Sequence, residues 1–209
     1  NALLPYAVTI EDVVNSPMVA DPLHRLDCCV VTDGGGALVI VSPEIARSLG
    51  RTNAKILGHG EAIKHTDNGR IDLTYTGAVW SGPRAFAEAG VSVKDIDYAS
   101  IYDSFTITVL MQLEDLGFCA KGQGGKFVAD GNLISGVGKL PVNTSGGLVS
   151  KGHPVGATGL SMLAELAMQL RGEAGPRQVK GAEIALAENG GGVIGMEEAV
   201  ASVVILQKV

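Results

Sequence analysis

The chain is short of aromatic residues, of cysteine and of positive charge, and each shortage excludes a class of protein. Aromatics make up 4% of 209 residues, with a single tryptophan, so the apolar content is aliphatic and small. Three cysteines, two of them adjacent at Cys28 and Cys29, do not make a disulfide framework and fit a reducing compartment. No CxxC or HExxH spacing occurs, so no metal site is expected. Sixteen Lys and Arg against 22 Asp and Glu leave a formal charge of −6 without any basic block, which argues against nucleic-acid binding. No apolar run approaches the roughly 18 residues of a membrane span. The first residues lack the basic segment and apolar core of a signal peptide, so a cytoplasmic location is expected.

What is present is aliphatic. Hydrophobic residues reach 46% and charged residues only 18%, with a mean hydropathy of +0.26. That balance suits a buried parallel or mixed sheet with helices packed on it. The length allows one sizeable core, or one lobe of something larger. Residues 1–2 read as a tag remnant, 3–27 as a connecting loop region with a short helix near Glu11, and 28–209 as the domain proper.

Along that domain the patterns alternate. A strand over 29–42 is interrupted by Asp33–Gly36, and Pro43 opens a short helix that stops at Gly50. A second strand over 54–65 carries Gly58 and Gly60 as irregularities, with His59 and His65 as strand or edge residues. A polar loop over 66–77 precedes a helix over 78–89. Strand Tyr98–Tyr102 leads to a helix that Asp103 or Ser104 can cap. Residues 117–142 read as loop with one helical turn. The helix Leu160–Arg171 is apolar on most faces and wants a layer on either side. Strands over 182–192 and 199–209 complete an order β-α-β-α-β-α-β-β. The expected fold is thus α/β, a mixed five-stranded sheet covered by helices, with the last two strands antiparallel.

The densest signal is Asn143–Gly159, NTSGGLVSKGHPVGATG, which holds five of the 29 glycines. Glycine at that density marks tight turns or close backbone approach to a ligand. His153 sits within it, and Pro154 biases His153 toward an extended backbone. A histidine so placed is either an acid–base group or a satisfied loop residue, and the loop alone does not choose.

This stretch closely resembles the C-terminal signature of the thiolase superfamily, N-x-x-G-G…G-H-P-x-G-A-[ST]-G. ADPLHRLDCCVVTDGGGALVIV is similar to the segment that opens the C-terminal half of thiolases. The resemblance covers residues 8–209 and implies one lobe of a two-lobed αβαβα sandwich. Tyr102-Asp103-Ser104-Phe105 stands where ordinary thiolases have N-E-A-F and sterol-carrier-protein thiolases H-D-C-F. Glu188-Asn189-Gly190-Gly191-Gly192 stands where a Cys or His opens the final glycine turn. The likeness is therefore to a bacterial or archaeal relative on the lipid-transfer-protein side of the superfamily.

The resemblance implies chemistry on a coenzyme A thioester, with no bound cofactor. His153 would activate a cysteine thiol that belongs to a separate N-terminal lobe. Tyr102 would serve as an oxyanion donor or, blandly, as a packed aromatic, and Glu188 as a second proton-transfer group or a turn cap. The backbone of the Gly190–Gly192 turn, including Gly191, is a further candidate donor. Asn143, Ser145, Gly146, Gly147 and Asn189 would shape the substrate or oxyanion loop. None of Cys28, Cys29 or Cys119 falls at the family's nucleophile position, so the chain alone is expected to be inactive. The expected function is that of an acetyl-CoA acetyltransferase-type enzyme acting on β-ketoacyl-CoA. A retro-aldol lyase on a β-hydroxyacyl-CoA and a non-catalytic acyl-CoA or lipid binder are the alternatives. A homo-oligomer, with or without a small acyl-CoA-binding partner subunit, is the expected assembly.

Overall fold

A computed structural model of the chain describes residues 2–64, 71–194 and 197–209. Asn1 of the expected tag remnant, His65 and residues 66–70 of the expected polar loop lie outside them. In chain order the elements are α1 (Ile10–Val14), β1 (Met18–Ala20), β2 (Leu23–His24), α2 (Pro43–Ser48), β3 (Ala54–Ile63), α3 (Ala78–Ala89) and β4 (Tyr98–Ile101). There follow α4 (Thr106–Asp115), α5 (Gly124–Val128), α6 (Gly147–Ser150), α7 (Thr158–Arg171), β5 (Ile184–Ile194) and β6 (Glu197–Lys208). β1 and β2 form a small hairpin after α1, in a region expected to be loop.

The main sheet has four strands in the order β3-β6-β5-β4. β4 runs parallel to β5, and β6 is antiparallel to both β5 and β3. Three strands therefore share one direction and the last returns, as the element order predicts. The count differs from the expected five because residues 29–42 do not join the sheet. Their first part is taken up elsewhere: the Cys29 N–H donates to the Ser104 carbonyl at 2.9 Å, and Val31 bridges His153. The three glycines that follow give the chain no side chain with which to dock. The aliphatic run beyond them lies on the surface, with Val39 88% and Ile40 79% exposed.

Helices cover both faces of the sheet. On one face Ala78 and Ala85 of α3 and Leu113 of α4 pack against Ile101, Leu186, Val203 and Ile205. Gly58 and Gly60 of β3 allow α3 to sit directly on the strand, since a Cβ at either would overlap the helix backbone. The ladder also shifts register between Ile56 and Gly58. On the other face Met162, Leu166 and Leu170 of α7 meet Tyr98, Ala185, Ala187 and Leu206.

The buried stripe of α7 is Thr158, Met162, Glu165, Leu166, Gln169 and Leu170, spaced as one helical face. Within this chain the helix is thus buried on one side, while Leu163, Ala164 and Ala167 on the other are only partly covered. Glu165 and Gln169, each 1% exposed, are satisfied within a polar network. Gln169 Nε2 donates to Thr144 Oγ1 at 3.0 Å and to the carbonyl of Arg177 at 2.9 Å, and Glu165 holds the Arg177 guanidinium at 2.9 Å. No helix among the described residues is long and apolar enough to cross a membrane.

Candidate active site

The site forms where β4 ends. The amide of Asn143 pairs with Ile101 like a strand residue, accepting its N–H at 2.9 Å and donating to its carbonyl at 2.8 Å. Asn143 adopts a left-handed φ of 50°, a conformation asparagine tolerates better than most residues. This fixes the start of the glycine-rich loop on the end of the strand. Ala99 and Val142 extend the same contact as a parallel bridge.

Asp103, two residues past the strand, is 4% exposed and ties down the next turn of the loop. Its Oδ1 accepts the N–H of Leu148 at 2.8 Å and its Oδ2 that of Val149 at 3.3 Å. Gly147, with φ 60°, makes room, because a Cβ there would overlap the Asp103 carboxylate. Asp103 therefore does not cap α4 as expected, and neither does Ser104. The cap residue is Phe105, whose N–H reaches Thr108 Oγ1 at 3.4 Å. Burial pushes the Asp103 carboxyl up to about 7, outweighing the two N–H donors that favour its charged form.

Between these anchors stands Tyr102. Its N–H donates to the Glu188 carbonyl at 3.0 Å, and its hydroxyl lies 3.0 Å from His153 Nε2. The two rings meet edge to face, with centroids 5.6 Å apart. His153 is held from behind by the 29–32 segment. Its N–H donates to Val30 at 2.7 Å and its carbonyl accepts from Thr32 at 3.3 Å. Burial lowers the His153 pKa below its ordinary value. Burial, and then the charges of Glu198, Cys29, Glu188 and Asp103, raise the Tyr102 phenol to about 12. Both groups are uncharged near neutral pH, and we assign the phenol as donor to the bare Nε2, which leaves the imidazole proton on Nδ1.

Glu188 is not part of this pair. Its register partners Ile101 and Val203 place its side chain on the α3/α4 face. It is 0% exposed, and among the described residues neither carboxyl oxygen has a hydrogen-bond partner of ordinary geometry. Burial, followed by Glu198 and Asp115, raises its pKa well above the ordinary carboxyl range. Its backbone carbonyl accepts the Tyr102 N–H, and the same N–H favours the charged form of its carboxyl without offsetting burial. The Gly190–Gly192 stretch is also not a turn. It belongs to β5, with Gly190 paired to Ala201 and Gly191 to Val200. Asn189 donates to the Gly190 carbonyl at 3.1 Å, and Gly159 at the start of α7 packs near its side chain.

Ser145 and Gly146 belong to the loop between Asn143 and His153. With Thr144, Ser150, Lys151 and Arg177 they line a solvent-open cavity of about 610 Å³ whose described lining includes two cations and no carboxylate. Of the expected site residues, the structure thus joins Tyr102 and His153, uses Asn143 and Gly147 to hold the loop, and separates Glu188. Glu198, beside the Gly190 backbone, and the Gln169–Glu165 network were missed. The only signal for Glu198 was a second glutamate after the glycine-rich segment.

A tyrosine at the end of β4 and a histidine on the glycine-rich loop, in contact and both uncharged, lie at the carboxyl end of parallel strands in a three-layer α/β/α domain, the place where open α/β sheets bind ligands. A family model described as thiolase C-terminal domain-like matches residues 60–208. Over 200 residues the chain is 42% identical to the acetyl-CoA acetyltransferase of Methanothermobacter thermautotrophicus, covering 93% of this chain and 51% of that protein. Over 167 residues it is 42% identical to the steroid side-chain-cleaving aldolase of Thermomonospora curvata, covering 76% of this chain and 42% of that one. The solved Ltp2-ChsH2(DUF35) aldolase matches it with a TM-score of 0.83 at 36% identity, over 96% of this chain and 51% of that chain. The chain belongs to the thiolase family as a C-terminal domain. It spans about half the length of these relatives.

Proposed function

We propose that the chain is the histidine-bearing half of a thiolase-like acyl-CoA acyltransferase, which makes or breaks a C–C bond in a β-ketoacyl-CoA. The observation that carries the reading is the 3.0 Å contact between Tyr102 Oη and His153 Nε2. An uncharged imidazole can take a thiol proton, so that a thiolate attacks the thioester carbonyl. A phenol that keeps its proton can donate to the oxyanion that forms. Burial comes first in raising the thiols of Cys28, Cys29 and Cys119, which makes each a poor nucleophile. We place the attacking cysteine on a lobe outside these 209 residues. The cavity beside Lys151 and Arg177 suits an anionic part of the thioester substrate. Assembly as a homo-oligomer, with or without a small acyl-CoA-binding partner subunit, belongs to the same proposal.

A second reading, retro-aldol cleavage of a β-hydroxyacyl-CoA, is favoured by the way Tyr102 occupies Nε2, the atom a thiol would otherwise use. In that reaction a base takes the β-hydroxyl proton, the Cα–Cβ bond breaks, and its electrons pass to the thioester enolate. Intact-mass analysis of the longer protein with acyl-CoA separates the two. A covalent acyl adduct supports acyl transfer, turnover without an adduct supports the lyase, and binding without turnover supports a non-catalytic carrier. Cleavage of acetoacetyl-CoA by the 209-residue chain alone would overturn the proposal that it needs a second lobe.

A further inference from the structure

The cavity of about 610 Å³ beside the loop has an apolar side and a cationic side. Leu4, Pro5 and Tyr6 supply the first. Three hydrogen bonds to Ser150 fix that segment against the loop. The N–H groups of Leu3 and Leu4 donate to the Ser150 carbonyl at 3.0 and 3.1 Å, and Ser150 Oγ donates to the Leu4 carbonyl at 2.9 Å. Lys151 and Arg177 supply the second, and Thr144 and Ser145 add hydroxyls to the same lining.

Arg177 is not a loose surface cation. It donates to the buried Glu165 carboxylate from Nε at 3.3 Å and from Nη2 at 2.9 Å. Gln169 Nε2 donates to the same carboxylate at 3.1 Å and also reaches Thr144 Oγ1. Two buried side chains thus set both the guanidinium and a hydroxyl of the cavity. A guanidinium gripped along its Nε–Nη2 edge keeps Nη1 for another oxyanion. Among the described residues neither Arg177 Nη1 nor Lys151 Nζ has a hydrogen-bond acceptor.

The charge count selects the ligand. Lys151 and Arg177 bring two positive charges and Glu165 cancels one, so a single negative charge balances the seat. The apolar side gains only if that charge ends a hydrocarbon chain. A phosphate dianion satisfies neither condition.

We propose that this cavity binds a carboxylate at the end of an apolar chain. The carboxylate sits on Lys151 and the open edge of Arg177, and the chain lies along residues 4–6. The site stands on the cavity alone, while the identity of its ligand rests on the function proposed above. There the carboxylate would be a second acid group at the far end of the acyl chain, so that the cavity sets specificity and no bond is made or broken in it.

NMR titration of the 209-residue chain with sodium hexanoate, against sodium chloride at equal ionic strength, tests the site. Saturable shifts at the Ser145 and Gly146 amides and at the Lys151 side chain are expected. Affinity should fall at least ~10-fold in Lys151→Gln, which removes one charge-assisted contact and breaks no existing pair. Shifts that chloride reproduces, or an unchanged affinity in Lys151→Gln, overturn the site. Arg177→Gln leaves Glu165 buried without its cation and endangers the fold, so Glu165→Gln is the second variant. It keeps an acceptor for Arg177 but removes the cancelling charge, and should move the preference from hexanoate toward inorganic phosphate by roughly 10-fold. A wild-type chain that prefers phosphate, or a preference unmoved by Glu165→Gln, overturns the single-charge assignment. In the longer protein Lys151→Gln should lower kcat/KM for an acyl-CoA with a terminal carboxyl and spare its uncharged counterpart. Equal loss for both refutes the assignment to the acyl chain. If hexanoate binds while the longer protein neither is acylated nor turns over, the proposed function fails and the carboxylate site stands.

Discussion

The Tyr102 hydroxyl lies 3.0 Å from His153 Nε2, across 51 residues of sequence. A phenol that donates to a bare ring nitrogen stabilises the neutral imidazole. Tyr102→Phe should therefore raise the His153 pKa from its lowered value, as read by ring-proton NMR. If the longer protein has the proposed activity, the same change should reduce turnover roughly 100-fold, the scale of one lost acid–base partner. An unmoved His153 titration would mean that the contact does not set the ring's protonation.

Gly147→Ala tests the anchor under the loop. An L-residue at φ 60° is strained, and the new methyl would displace the Asp103 carboxylate from the Leu148 and Val149 N–H groups. A loss of about 2 kcal/mol or more is expected in urea unfolding. A loss within experimental error would show that the loop has room to shift.

Asn143 offers a graded series. Asn143→Leu leaves both the N–H and the carbonyl of Ile101 without their side-chain partner and should cost about 2–4 kcal/mol. Asn143→Asp keeps the acceptor and loses the donor, so its cost should fall between leucine and wild type. Equal costs for the two variants would point to shape, not pairing.

Stability should fall as pH rises from about 5 to about 7.5. Asp103 and Glu198 each have folded pKa values raised to about 7, chiefly by burial, and that of Glu188 is also raised. Over this window the folded chain holds protons that the unfolded chain has released, so the stability present below the unfolded values is lost as pH passes the folded ones. His153, with a lowered value, works in the opposite sense near its unfolded pKa and offsets part of the change. The lowered carboxylates Asp12, Asp95 and Glu114 act only below the window. A net loss on the order of 2 kcal/mol or more is expected in urea midpoints compared at the two pH values. A flat profile would argue that the buried carboxyls are ionised throughout.

Where local pattern decides, the fold could be read from the sequence. α3 ends at Gly90 because Gly90 takes the left-handed C-cap, and α7 follows its apolar spacing to Gly172. The last two strands pair as neighbours because so few residues join them. The strand expected over 29–42 failed for a physical reason: an aliphatic run looks the same whether or not it finds a sheet edge. At the site, the motif around His153 and the tyrosine at the strand end were both legible, but their contact was not, since nothing local encodes a pair 51 residues apart. Glu188 was singled out by its place in a motif, not by its place on the strand. Strand alternation from Ala185 and Leu186 already puts it on the face opposite the helix that carries the loop. Glu198 reads in the sequence as an ordinary hairpin charge, and only the structure sets it against the Gly190 backbone.

The main sheet ends at β3, where Ile56 and Ile63 are exposed and Glu88 takes the His59 N–H at 2.8 Å. Lys55 and Glu61 on the strand, with Glu88 and Arg84 from α3, guard that border, and the uncovered run through Val39 and Ile40 adds aliphatic surface to the same molecule. Handling of the purified chain will therefore be governed by concentration more than by temperature. Its shelf life will be set by how quickly two such borders find each other in the tube, well before its melting point is reached.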